Sequence, residues 1–423
     1  MRGLFAIAVR NLLRAKRRNL LTGGTMVLGS GALVLGSGFA DGIERQLTDN
    51  LVAVQTGHLQ VVVRPADFEP QNSPFDAYGV EQVPDAEGLA RRLQSEGREW
   101  GVVRAVPYLY GRGTAVAGSR SSLASVVGVL PAREPELVRA FPPVAGTFVP
   151  AGDDLAVAVA APVARKLRLG VGDTVSLVVQ TPEGAVNSID LAVCGILRKN
   201  APWYDTAFFV TLAAAQRLFD WPGGATNVKV TLAGGSPAAA RRARPALAAL
   251  VGSPPGLRRA GHLRLETYDE AGRFSFAIVQ ANQTALAILS SFLFAAAAVG
   301  IVNSMLMSVH ERTREIGTVR ALGMRRLSVV QLFLLEGFAL GLVSAVIGVL
   351  AAGALVLHWG GRGIPMDTVT LAWMAGGDAL FPVLTAASVV RAVVAIALLS
   401  TLAAVYPALI ASRLEPREAL HHT

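Results

Sequence analysis

The chain has 423 residues, 52% of them hydrophobic and only 16% charged, a balance shifted toward membrane proteins. Its net charge of +9 does not mark a nucleic-acid binder, because the arginines gather beside apolar stretches and not along one basic face. The single cysteine, Cys194, excludes an internal disulfide framework.

In chain order, residues 1–19 are basic, with Arg2, Arg10, Arg14, Lys16, Arg17 and Arg18 set around Leu12 and Leu13. They read as a helix at a cytoplasmic membrane interface. Residues 20–40 carry no charge and are long enough to cross about 30 Å of hydrocarbon. Their apolar core of about 21 residues exceeds that of a signal peptide, so the segment is expected to stay as an anchor. Ile43, Leu47, Leu51 and Val54 then recur at helical spacing among Glu44, Arg45, Asp49 and Asn50. That pattern extends the helix to residue 56 as an amphipathic stalk. Residues 57–266 alternate strand-like and helix-like pieces. Strands are expected at 58–63, 102–109, 155–159, 174–179, 189–193 and 227–232, and helices at 85–99, 134–141, 162–167, 212–219 and 238–251. The strand-rich stretch 146–204 suggests a small β subdomain.

Thr267 and Glu270 form a capping box, and no proline follows until Pro365. One helix over 268–309 would be about 63 Å long, roughly twice the hydrocarbon thickness, so its excess forms a second stalk. Residues 310–327 form a short charged helix with Ile316, Val319 and Leu322 on one side and Gly323 as its stop. Ser328 and Gln331 suit a capping box opening a third span, 328–357. A short outer segment, 358–390, leads to a fourth span and tail, 391–423. The basic flanks hold both termini and the 310–327 loop in the cytoplasm and put residues 57–266 outside. The expected fold is an α-helical membrane protein with four transmembrane helices and a large extracytoplasmic mixed α/β (α+β) domain between helices 1 and 2.

Catalytic signatures are missing. There is no G-x-x-x-x-G-K-S/T loop for nucleotide, no H-E-x-x-H and no G-x-S-x-G elbow. His58 and His262 would form a metal pair only by an accident of folding. The chain reads as a non-catalytic subunit.

From periodicity alone, the 310–327 helix is either a solvated surface helix or a docking surface. The stretch Glu311 to Met324, ERTREIGTVRALGM, resembles the signature loop of the FtsX-like permease family, which includes the MacB-type and LolC/LolE-type ABC transporter permeases. Residues 8–14, AVRNLLR, and 406–420, YPALIASRLEPREAL, resemble that family's two ends, and Gly57 to Gln60, GHLQ, is similar to the lipoprotein-release branch. The resemblance implies a permease half that pairs with a second permease and with a separate ABC ATPase of the LolD or MacB nucleotide-binding type, which would hold ATP and magnesium while this chain binds no cofactor. It implies that Glu311, Arg312, Arg314, Glu315, Ile316, Val319, Arg320, Leu322, Gly323 and Met324 form a coupling helix on the ATPase. It further implies mechanical work on the periplasmic side of the inner membrane. Lipoprotein release is the first reading; efflux of small amphiphiles or peptides, or signalling to a periplasmic partner such as a cell-wall hydrolase, are the alternatives.

Two membrane features complete the sequence reading. Glu336 lies in the third span, where a carboxylate is costly, and is expected to face the bundle and pair with a nearby arginine. Gly337, Gly341 and Ala345, and separately Ala296, Gly300 and Ser304, form small-residue stripes suited to close helix contacts. For a lipid-anchored cargo, Phe39, Ile43, Leu47, Ile278 and Leu286 would line an apolar mouth between the first two spans, although plain stalk packing would use the same residues.

Overall fold

A computed structural model describes residues 16–65, 82–198, 204–252, 261–366, 368, 372 and 377–414. The basic residues Arg2, Arg10 and Arg14 and the tail residue Arg417 lie outside the described residues. The chain divides into two compact units: one of residues 1–43, 279–364 and 380–423, the other of residues 44–278 and 365–379.

The first helix, α1 (Lys16–Asn50), passes without a break into a π-helical turn, Leu51–Thr56. Gly57 ends it with φ +67°, where a Cβ would lie 2.5 Å from the Val230 carbonyl oxygen, so only glycine fits. The globular unit then follows in the order β1 (Leu59–Pro65), α2 (Ala86–Glu96), β2 (Val102–Ala117), β3 (Arg120–Val129), α3 (Pro135–Ala140), β4 (Pro143–Gly146), β5 (Ala156–Ala160) and α4 (Ala161–Leu167). It continues with β6 (Thr174–Gln180), β7 (Val186–Leu197), β8 (Ala207–Thr211), α5 (Leu212–Phe219), β9 (Asn227–Leu232), α6 (Pro237–Val251) and β10 (Gly261–Thr267). The ten strands form a mixed sheet in the order β10-β1-β9-β2-β3-β8-β5-β7-β4, with β6 joining β2 to β7.

Two hydrophobic cores share this sheet. In the first, Leu89 and Leu93 of α2 and Ala243 and Leu247 of α6 cover Val61, Val228 and Val230. The second is aromatic, built on Tyr108, Phe141, Phe148, Tyr204, Phe208 and Phe209. The described residues of the 146–204 stretch do not form a core of their own: they pack into one core with β2, β3, β8 and α5. Strand β2 spans both cores, pairing with β9 through Tyr108 and with β3 from Leu109 onward. It runs eight residues past the expected end at 109, and Gly111 and Gly113 within it mark close approaches. A Cβ on Gly111 would sit 2.0 Å from the Phe219 ring, and one on Gly113 would sit 2.4 Å from the Val178 carbonyl oxygen.

The second long helix does not start as expected. Thr267 and Glu270 do form their capping box, with the Thr267 amide donating to Glu270 Oε2 at 3.2 Å. The helix it opens, α7 (Tyr268–Ala271), is interrupted at Gly272 before α8 (Arg273–Glu311) begins. At Gly272 a Cβ would meet Leu51 Cδ1 at 2.6 Å, so the interruption sits where the stretch packs against the end of the first helix.

The other unit holds the spans. After α8 come α9 (Thr313–Ala321), α10 (Arg326–Arg362) and α11 (Ala386–Arg413). Among the described residues, four helical stretches are long and apolar enough to cross a membrane: Leu20–Thr56, Val279–Glu311, Arg326–Arg362 and Ala386–Arg413. The third begins at Arg326, and Ser328 lies inside its first turn; the expected capping box at Ser328 is not formed, and the Arg325 side chain makes no cap. The fourth begins at Ala386, where Thr385 Oγ1 accepts from the Ser388 amide at 3.2 Å.

Small residues set the helix spacing. A Cβ on Gly337 would lie 2.7 Å from Ala404 Cβ, and one on Gly341 would lie 1.9 Å from Ser400 Oγ, so α10 meets α11 along the expected stripe. Gly348 touches α1, with the Val27 carbonyl oxygen 2.4 Å from a Cβ position. Gly300, in the other stripe, has nothing within 4 Å. Replacing Gly348 by Leu is expected to lower the melting temperature of the detergent-purified protein by several degrees, about 1–3 kcal/mol of overpacking. Gly300→Leu is expected to leave it unchanged.

Candidate functional site

Two local signals bound the short helix between the second and third spans. Arg312 breaks α8 from α9 with φ −110°. Gly323, at φ +100°, closes α9: its amide donates to Arg320 O at 3.0 Å and the Met324 amide donates to Val319 O at 3.2 Å. These two bonds form a Schellman stop that satisfies the last carbonyls. The expected apolar side is split. Ile316 and Met324 pack against the bundle core of Ile301, Met305 and Phe333, whereas Val319 and Leu322 are exposed, Leu322 by 84%. Arg312 turns inward to Glu336, Nη1 to Oε1 at 3.5 Å, with the carboxylate almost fully buried. The expected ion pair in the third span is thus made by a loop residue. Arg320 donates to the Leu414 carbonyl at the end of α11. Glu311, Arg314, Glu315, Val319, Leu322 and Gly323 remain on the open face.

A cavity of about 410 Å³ lies among the first, second and fourth spans. Its apolar lining comes from Leu33, Leu286 and Phe294, and its polar groups from Asp41, Ser290 and Arg391. Asp41 accepts from Thr385 Oγ1 at 3.0 Å, which ties the first helix to the start of α11. Of the five expected mouth residues, only Leu286 lines this cavity. Leu47 is buried in the globular unit, Phe39 and Ile43 are half-buried, and the side chain of Ile278 lies outside the described residues. The fourth span's share of the wall was not expected, because Arg391 reads in sequence as a flanking charge.

The third feature is a joint at the end of the first helix. The last carbonyls of a helix have no partners within it. Here three successive ones accept from side chains of the globular unit. Lys229 Nζ donates to Ala53 O, Tyr110 Oη to Val54 O at 3.2 Å, and Asn227 Nδ2 to Gln55 O at 3.3 Å. Lys229 also pairs with Glu134, Nζ to Oε1 at 2.8 Å, both side chains being at least 96% buried. Loss of water pushes the Glu134 carboxyl up and the Lys229 ammonium down from their ordinary values, and their contact opposes both shifts. From Asn227 the network continues to Gln60, Nδ2 to Oε1 at 3.2 Å, then from Gln60 to Glu266, which Arg64 clamps with two bonds of 3.0 Å. Gln60 and Arg64 lie on β1 and Glu266 on β10, the strands by which the chain enters and leaves the domain.

His58 accepts from the Leu232 amide through Nδ1 at 3.0 Å, and burial holds its pKa below the usual imidazole value. It is a structural acceptor. No group of His, Cys, Asp and Glu able to hold a metal occurs among the described residues.

With this geometry in view, the chain matches two family models: the MacB-like periplasmic core domain over residues 20–246 and the FtsX-like permease C-terminal region over residues 287–416. The first covers more than half of the chain, and the chain belongs to the FtsX-like, MacB-type family of membrane permeases. Among its relatives is the macrolide export ATP-binding/permease protein MacB of Nitrobacter winogradskyi, 31% identical over 39% of this chain and 23% of that one. The protein of the same name from Rhodopirellula baltica is 37% identical over 29% of this chain and 16% of that one. The matches thus span less than a quarter of those relatives' length. Among solved structures, the extracellular domain of the transporter YknZ from Gram-positive bacteria is 17% identical at a TM-score of 0.34, over 49% of this chain and 98% of that one. The periplasmic region of MacB from Actinobacillus actinomycetemcomitans is 12% identical at 0.35, over 51% and 91%.

One outcome tests the joint and another the ion pair beside it. Lys229→Met strands the Glu134 carboxylate and the Ala53 carbonyl, and unfolding of the purified protein should lose about 3–5 kcal/mol, with part recovered in Lys229→Met/Glu134→Gln. Beside it, the Arg104 guanidinium holds the Glu136 carboxyl down to about 2 from 4.5. A depressed carboxyl stabilises the fold above its unfolded value and loses that contribution as pH falls through its folded one. The melting temperature should therefore fall between pH 4.5 and about 2, and Glu136→Gln should remove that part of the decline.

Proposed function

We propose that the chain is the permease subunit of an ABC transporter in the inner membrane, with both termini cytoplasmic and the globular unit periplasmic. It couples ATP hydrolysis by a separate ATPase to movement of that unit, working beside a second permease subunit. Its cargo is lipid-anchored, a lipoprotein drawn from the outer leaflet. The observation that carries this reading is the cavity among the first, second and fourth spans, apolar at Leu33, Leu286 and Phe294 and polar at Asp41, Ser290 and Arg391. A mixed lining of that size suits an acyl chain joined to a polar head. The open face of α9 suits an ATPase, since it offers exposed Leu322 beside Arg314 and Glu315.

A second reading is export of small amphiphiles. The family match and the macrolide-export names of the relatives favour it, and it uses the same cavity. Signalling to a periplasmic partner would leave the cavity without a task. The complex with its ATPase, reconstituted in nanodiscs, separates these readings. An acylated lipoprotein should raise ATP turnover severalfold, its unacylated form should not, and Leu286→Trp should abolish the rise. Equal stimulation by the unacylated protein would refute the lipoprotein reading. For the loop, Arg314→Glu/Glu315→Arg/Leu322→Asp should prevent the ATPase from co-purifying; retention of the ATPase would remove α9 as its seat.

A further inference from the structure

The globular unit also holds a basic cleft of about 820 Å³. Arg91, Arg92, Arg98, Arg104 and Arg133 line it, and Glu96 is the acidic residue among the lining. We propose that this cleft binds a multiply charged phosphate group.

The arginines fall into two sets. Arg104 is clamped to Glu136, and Arg92 donates to the Leu250 and Val251 carbonyls at the end of α6. These two form fixed walls. Arg91, Arg98 and Arg133 are exposed to solvent. Arg91 lies on α2, Arg98 in the short 3-10 turn Gly97–Trp100 after it, and Arg133 in the turn Pro131–Arg133 before α3. Three exposed guanidiniums, two from α2 and the turn that follows it and one from the turn before α3, thus line one open cleft.

Like charges brought together in a cleft focus the field there and raise the local anion concentration. Guanidinium is the group suited to this ligand, because its planar fork donates two parallel bonds to a phosphate. A phosphomonoester, with about two charges and three acceptor oxygens, is the ligand chemistry that several such arginines suit. The volume lies within the range of small-ligand sites. Arg133 also precedes Glu134, the partner of Lys229, so a bound anion sits beside the helix-end joint.

The phosphate can belong to a soluble ion or to a lipid head, and the experiment has an arm for each. Full-length protein in nanodiscs of phosphatidylcholine would be titrated with inorganic pyrophosphate and, separately, mixed with vesicles carrying phosphatidic acid. Binding in either arm, falling at least about tenfold in Arg98→Glu/Arg133→Glu, supports the proposal and names the source. Arg98→Lys/Arg133→Lys should weaken binding less than the reversal, since charge remains without the fork. Arg165→Glu/Arg242→Glu, on α4 and α6, is the control and should bind as the natural chain does. No binding in either arm, binding that survives the cleft reversal, or an equal loss in the control pair would each overturn it. Unchanged melting temperatures would show that these exposed substitutions leave the fold intact.

Discussion

A helix that ends inside a folded domain leaves carbonyls that water cannot reach, and each one left unmet is costly. In this chain Ala53, Val54 and Gln55 present three of them, and Lys229, Tyr110 and Asn227 answer. The three donors sit on β2 and β9, adjacent strands at the centre of the sheet. The end of the first helix, at residues 53–55, is therefore tied to the middle of the domain and not to a loop at its rim. The price is a buried ammonium, and Glu134 offsets it at 2.8 Å. The chain of bonds through Gln60, Glu266 and Arg64 extends the constraint to the strands that enter and leave.

The membrane unit meets a different constraint. Lipid supplies no hydrophobic drive between helices, so close packing and polar pairs must hold them. Gly337, Gly341 and Gly348 let α10 approach both α11 and α1. The Arg312–Glu336 pair fixes the loop to the same helix, and Arg320 fixes it to the end of α11. The loop is thereby bonded to two helices of the bundle.

Much of this was legible in the sequence, for identifiable reasons. Long uncharged runs have one stable form in lipid, so the spans were plain. Glu336 announced a partner because a lone carboxylate there is untenable. Gly323 announced the stop of α9. What failed was where one residue type has two physical uses. The strand expected to end at 109 continues through Gly111 and Gly113, which serve close contact with Phe219 and Val178. Lys229 and Asn227 alternate with valines on β9, yet both faces of that strand are buried. The one available signal was Lys229 itself, an isolated lysine in an arginine-rich chain. Its pairing with Glu134 spans distant segments, and no local rule could reveal it. The cavity escaped for the same reason, since Arg391, Asp41 and Ser290 meet only in three dimensions.

If the helix end and the domain behave as one body, a distance taken across the joint should be sharp. Spin labels at Asp49, on the first helix, and Asp190, on β7, in a Cys194→Ser background would report it by pulsed electron resonance in nanodiscs. The account requires one narrow distance distribution in the natural joint and a broad one after Lys229→Met. A broad distribution with the joint intact, or a narrow one that the substitution leaves unaltered, would contradict it.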